Sequence, residues 1–167
     1  MKFGGTSVGS VESLLNVKRI VEAQQGPVIV VVSALGGVTN QLIEMTRLAS
    51  AHDAGYEPLL AAVRQRHMDV IEQVVPAARQ HQARQVVEQF VDGNLTSFFS
   101  MLCLNADLDE PERRRLADTI VCHGEILSSA SWPACSMMPR LITRPVSSRP
   151  APTTRASLCL MPPSPSA

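Results

Sequence analysis

Apolar residues recur at helical spacing through most of the first 129 positions, and the exception is one short β-branched run. In "VESLLNVKRIVEA", Val11, Leu14, Leu15 and Val21 share one face together with the stem of Lys18, and Ser10 stands where an N-cap belongs. Gly26-Pro27 closes that helix. "VIVVVSAL" (28–35) has no polar alternation, which predicts a strand covered on both faces, as in a parallel sheet. Gly36-Gly37 follows it directly, and helical spacing then returns from Thr39 to about Ser50, from Glu57 to Val75 and from Ala77 to Leu104. Leu60, Val63, Ile71, Val87, Phe90 and Val91 carry the last two stretches. Asp109, Glu110, Pro111 and Glu112 open a further helix toward Leu127, with acids in the first turn and a proline where its missing N–H does no harm. The pattern is that of an α/β protein.

At Ser129 the pattern stops. Residues 130–167 hold eight of the chain's 12 prolines, seven serines, four arginines and no Asp or Glu. No helical or strand period survives there, and the sequence predicts a Pro/Ser/Arg-rich tail that is disordered or translated in a wrong reading frame. The expected organisation is therefore a body over 1–129 and a tail over 130–167.

Composition narrows the classes of function. With 167 residues, 45% of them hydrophobic, the chain is long enough for one domain with a proper core. A formal net charge of zero removes the general electrostatic case for a nucleic-acid partner. Cys103, Cys122, Cys135 and Cys159 form no C-x-x-C pair, so they read as packed or incidental thiols. No apolar run is long enough to span a membrane and no signal peptide opens the chain, which predicts a cytoplasmic protein.

The candidate chemistry begins with "KFGGTSVGS" (2–10). A lysine beside two glycines and a helix start lets main-chain N–H groups, a cation and a helix dipole meet an anion, most simply phosphate. A plain structural turn is the other reading of the bare pattern. A Walker A loop is excluded although Gly4, Gly9 and Ser10 fit part of it, because Lys2 precedes the glycines. "VVVSALGGVTN" (30–40) repeats the order of strand, small residues, Gly-Gly and helix, and two such turns on neighbouring strands would face one crevice. In "CHGEILSS", His123 and Glu125 match the start of a zinc-deaminase motif, but Ala134 separates Pro133 from Cys135 and Met138 stands where the second cysteine is needed. A packed histidine near a helix end is the simpler account of His123.

Taken together, "KFGGTSV", "VVVSALGGVTN" and "HGEILSS", in that order with a helical insert before the last, resemble the aspartokinases of the amino-acid kinase family over residues 1 to about 129. The helix-rich middle is similar to the kinase portion of a larger enzyme, including the bifunctional aspartokinase/homoserine dehydrogenase type. The resemblance implies a truncated three-layer αβα sandwich with a mostly parallel sheet. It also implies transfer of the ATP γ-phosphoryl group to the β-carboxylate of L-aspartate, the first step toward lysine, threonine and methionine. Lys2 would neutralise charge on the transferring group, while Gly4, Gly5, Thr6, Ser7, Ser33, Gly36 and Gly37 would surround the phosphates. Thr39 and Glu125 would hold aspartate, Glu125 through its α-ammonium group. Magnesium would bridge the phosphates, with no side chain assigned as its ligand, and full-length relatives would be homo-oligomers. The family's further arginine and acidic site residues, nucleoside segment and regulatory domains are not recognisable after Ser129, so the chain is expected to be an incomplete fragment, inactive alone. Two alternatives stay open: a kinase for another acid such as glutamate or N-acetylglutamate, and a non-catalytic module whose Pro/Arg tail docks a partner.

Overall fold

The computed structural model describes residues 1–26, 28–105, 107–135 and 142–143. Two strand–turn–helix units open the chain: β1 (Lys2–Phe3) leads to α1 (Val11–Glu22), and β2 (Ile29–Val32) leads to α2 (Val38–Ser50). Then come α3 (Tyr56–Val74), α4 (Ala77–Glu88), a π-helical segment (Gln89–Leu95), α5 (Thr96–Leu104), α6 (Glu110–Cys135) and β3 (Ile142–Thr143). The strands form a parallel sheet in the order β1-β2-β3, with Lys2 opposite Val31 and Ile29 opposite Ile142. The ladder extends past the short first strand, since Val31 N donates to Met1 O (2.9 Å) and Ser33 N to Phe3 O (3.1 Å).

Local chemistry sets the ends of these elements. Ser10 caps α1 in an extended conformation, its hydroxyl accepting from Ser13 N at 3.2 Å. At α6, Asp109 and Glu112 form a reciprocal capping box: Glu112 N donates to Asp109 Oδ1 (2.8 Å) and Asp109 N to Glu112 Oε2 (3.2 Å). The predicted single helix over 77–104 is one continuous rod interrupted by a π segment around Gly93, where Thr96 Oγ1 donates to Val91 O, five residues back (3.0 Å).

The core lies among the helices, with Leu42, Met45, Ile71, Phe99, Leu102 and Ile120 fully or almost fully buried. Tyr56, at the start of α3, meets the ring of Phe99 at 5.3 Å. Among the described residues, no helix is long and apolar enough to cross a membrane.

Two expectations about β2 need correction. The strand predicted over 28–35 is confined to Ile29–Val32: Ser33 N makes the last bond to β1, and Leu35 O already accepts from Val38 N in the turn that starts α2. Only one of its faces is well covered: Val30 and Val32 are buried, whereas Ile29 is 59% exposed. With apolar residues at all four positions, side-chain type could not reveal which face the helices leave open.

Regular structure also continues past Ser129. The structure has a helix and a strand beyond it, as α6 runs through Pro133 to Cys135 and β3 pairs with β2. A proline removes one i→i−4 hydrogen bond, and a helix already 23 residues long at that point keeps its remaining bonds. The rest of the predicted tail, 136–141 and 144–167, lies outside the described residues.

Candidate active site

Both glycine turns lie at the carboxyl ends of adjacent parallel strands and meet each other. In the first, Ser7 N and Val8 N donate to Gly4 O (2.9 and 3.2 Å), and Gly9 N to Thr6 O (3.4 Å), winding the chain into α1. In the second, Val38 N donates to Leu35 O (2.9 Å), and Gly37 takes φ = 85°, a left-handed conformation that glycine adopts without strain. A Cβ on Gly36 would stand 2.9 Å from Gly9 Cα and 3.2 Å from Gly5 O, so the two backbones touch with no room for a side chain. A Cβ on Gly9 would in turn stand 3.1 Å from Gly5 O. The N-termini of α1 and α2, each carrying a partial positive charge, thereby come near each other.

The predicted site residues take distinct places around this meeting point. Lys2 is exposed on β1, Gly4 borders open space with nothing within 4 Å of a notional Cβ, and a Cβ on Gly5 would lie 3.9 Å from Ala34 O. Thr6 is exposed and Ser7 half-buried in the first turn; Ser33 is half-buried just after β2, and Thr39 is exposed in the first turn of α2. Gly36 carries the inter-turn contact and Gly37 caps α2.

Glu125 comes from far along the chain, on α6, and ends within the electrostatic reach of Lys2. Burial pushes its carboxyl above the usual range, and the Lys2 ammonium pulls in the opposite direction. Its approach depends on the preceding residue: a Cβ on Gly124 would lie 3.0 Å from Leu42 Cδ1, 3.2 Å from Ala34 Cβ and 3.6 Å from Val38 Cγ1. The bare glycine lets α6 settle on the start of α2 and the end of β2.

His123 is buried, its Nδ1 2.7 Å from Thr119 O and its ring edge-on to Phe98 at 5.1 Å, as expected of a packed histidine. No group of three His, Cys, Asp or Glu side chains among the described residues is arranged to hold a metal ion. Cys103 and Cys122 are both half-buried.

Sequence reasoning missed Gly9, Gly124, Arg66 and His67. A third glycine just before the Ser10 cap was the available signal for Gly9. Arg66 had none: it sits in the middle of α3, and its Nη2 donates to Gly9 O at 3.1 Å. His67 is buried beside it, its Nδ1–H donating to Val63 O (2.8 Å) and its Nε2 without a partner. Burial is the main cause that pushes its pKa down to about 4, with the Arg66 charge adding to the effect against the Val63 bond.

Two strand–glycine–helix units whose turns touch define an α/β protein built around paired glycine turns. The model of the Amino acid kinase family matches residues 1–132, and the chain belongs to that family. It is 52% identical over 54 residues to an aspartokinase of Bacillus sp. (strain MGA3), covering 30% of this chain and 13% of the relative. It is 43% identical over 67 residues to the chloroplastic bifunctional aspartokinase/homoserine dehydrogenase of Daucus carota, covering 40% of this chain and 7% of that one. Its fold matches the crystal structure of E. coli aspartokinase III in complex with aspartate and ADP at a TM-score of 0.64 and 26% identity, over 80% of this chain and 27% of that one. The chain thus spans only a small part of the length of these relatives. The resemblance to aspartokinases read from the three motifs, and the α/β amino-acid kinase fold it implied, are borne out.

Proposed function

We propose that residues 1–129 form the phosphate- and aspartate-binding part of an aspartate kinase, which moves the ATP γ-phosphoryl group to L-aspartate to give ADP and 4-phospho-L-aspartate. The observation that carries this reading is the backbone contact between the turns, Gly36 against Gly9 and Gly5, which brings two helix N-termini to one place; Glu125 feels the Lys2 charge beside them. In the reaction a β-carboxylate oxygen of aspartate attacks the γ-phosphorus and the bond to the β–γ bridging oxygen breaks, leaving ADP. Such a step needs positioning and charge neutralisation more than a covalent nucleophile.

In this reading Lys2 neutralises the transferring group, and main-chain donors around Gly4, Gly5, Thr6, Ser7, Ser33, Gly36 and Gly37 hold phosphate oxygens. Thr39 and Glu125 bind aspartate, with Glu125 accepting from the α-ammonium group. Magnesium would travel with the ATP phosphates; the described residues offer it no cluster of ligands, and no step here passes through it. A cytoplasmic location, where ATP is supplied, belongs to the same reading.

The test is a titration of the chain with ATP, GTP and tripolyphosphate, followed by backbone amide NMR shifts. Shifts at Gly4, Gly5, Gly36 and Gly37 of similar size for the three ligands are expected, since the contacts assigned here are all to phosphate. Shifts confined to other residues would refute the assignment of these loops.

A further inference from the structure

The helical insert between the two glycine turns and Glu125 was silent in the sequence, yet one of its side chains reaches the place where the turns meet. α3 packs against both α1 and α2. From its middle, Arg66 extends to donate from Nη2 to Gly9 O at 3.1 Å, and its Nη1 lies 3.6 Å from where a Cβ on Gly37 would be. One planar guanidinium therefore touches the last residue before the α1 cap and borders the residue that caps α2. Its N–H groups point in fixed directions, which suits it to hold two backbone segments at a set distance.

The location also goes against electrostatic preference. Helix N-termini favour negative charge, and Arg66 brings a positive one to two of them. Among the described residues no carboxylate pairs with Arg66. The same helix shows the contrast two residues earlier, where Arg64 is bonded to Asp92 at 3.0 Å and lies 3.7 Å from Glu88. A side chain kept half-buried in so unfavourable a field is accounted for by what it holds.

We infer that Arg66 is a positioning residue: by gripping the Gly9 carbonyl beside Gly37 it keeps the two turns in the spacing that binds phosphate, and so ties the helical insert to the kinase site. This rests on the phosphate-binding reading above and adds a residue to it. Arg66 acts through the turns and is assigned no contact with the substrate.

The experiment compares the full 167-residue chain with Arg66→Lys and Arg66→Met, using tripolyphosphate as the probe. In the ligand-free proteins, Arg66→Met should move the amide resonances of Gly9, Ser10, Gly36 and Gly37 while resonances of α5 stay in place. Tripolyphosphate affinity should fall roughly tenfold, about the size of one hydrogen bond from a charged donor. Arg66→Lys, which keeps the charge and one donor, should recover part of that loss. Wild-type affinity and unmoved turn resonances in Arg66→Met would overturn the inference. Loss of folding in both variants would overturn it too, since Arg66 would then be a general support of the fold. If the wild-type chain fails to bind tripolyphosphate, the phosphate reading fails, while the ligand-free comparison still decides whether Arg66 sets the geometry of the turns.

Discussion

Replacing Gly36 by alanine tests the central contact directly. The new methyl would lie 2.9 Å from Gly9 Cα and 3.2 Å from Gly5 O, closer than van der Waals contact allows. Both neighbours are main chain, so no flexible side chain can swing aside, and the turns must separate or α2 must shift. Overpacking of this kind costs roughly 1–3 kcal/mol. The matched control is Gly4→Ala, whose methyl meets nothing within 4 Å, at a position without a left-handed φ. There the reduced freedom of the unfolded chain should leave stability unchanged or raise it by up to about 1 kcal/mol. With a response of roughly 2–4 °C per kcal/mol for a chain of this size, Gly36→Ala should melt about 2–12 °C below wild type and Gly4→Ala within about 4 °C of it. Circular dichroism melts with urea titrations at constant pH measure both. In ligand binding the order changes, because Gly4 borders the open side assigned to phosphate, so Gly4→Ala should weaken tripolyphosphate without loss of stability. Equal melting temperatures for the two variants would refute the claim that the glycine turns are pressed together.

Gly124→Ala should cost less than Gly36→Ala, about 1 kcal/mol, because its closest neighbour is the end of the Leu42 side chain at 3.0 Å; equal urea midpoints for Gly124→Ala and Gly36→Ala would contradict this. His67, with a pKa pushed down to about 4, is neutral in the fold and protonates near 6.5 when unfolded, so its contribution is complete above pH 6.5 and is lost as pH falls toward 4. The loss is on the order of 3 kcal/mol, and His67→Gln should flatten the fall in the urea midpoint between pH 7 and 4.5; an unchanged slope would exclude it. Removing the Lys2 charge in Lys2→Met should raise the Glu125 pKa further, read by carboxyl-carbon NMR, and no movement would show that the two groups are too far apart to share a site. The chain alone should turn over no more ATP with aspartate than a Lys2→Ala control in a coupled ADP assay, because phosphoryl transfer tolerates little misplacement and the expected arginine and acid partners are not recognisable after Ser129.

What the sequence made legible was what short-range chemistry determines. Ser10 and Asp109 announce helix starts because their side chains bond N–H groups three residues on, and both caps are present. The two Gly-Gly pairs mark strand-to-helix turns for a different local reason, the conformations and close backbone approach that a residue without Cβ allows. The open face of β2 was illegible, since Ile29 and Val30 are both β-branched and only tertiary cover distinguishes 59% exposure from none. α6 runs on past Pro133, since in a helix of 26 residues one lost bond is a small fraction of the whole.

The site divides along the same line. Glycines carry two different demands here, and the sequence cannot separate them. Gly4 stands beside open space, as a residue does when its backbone is to meet a ligand; Gly36, Gly9 and Gly124 stand where a methyl would strike protein. The "HGE" motif shows how the second kind serves the first. His123 packs under Phe98, Gly124 lets α6 close on Ala34, Leu42 and Val38, and Glu125 is thereby carried into the field of Lys2, 123 positions away in sequence. Close backbone packing is therefore the physical condition for the electrostatics proposed here, and the bond from Arg66 Nη2 to Gly9 O is the contact through which α3 would bear on it.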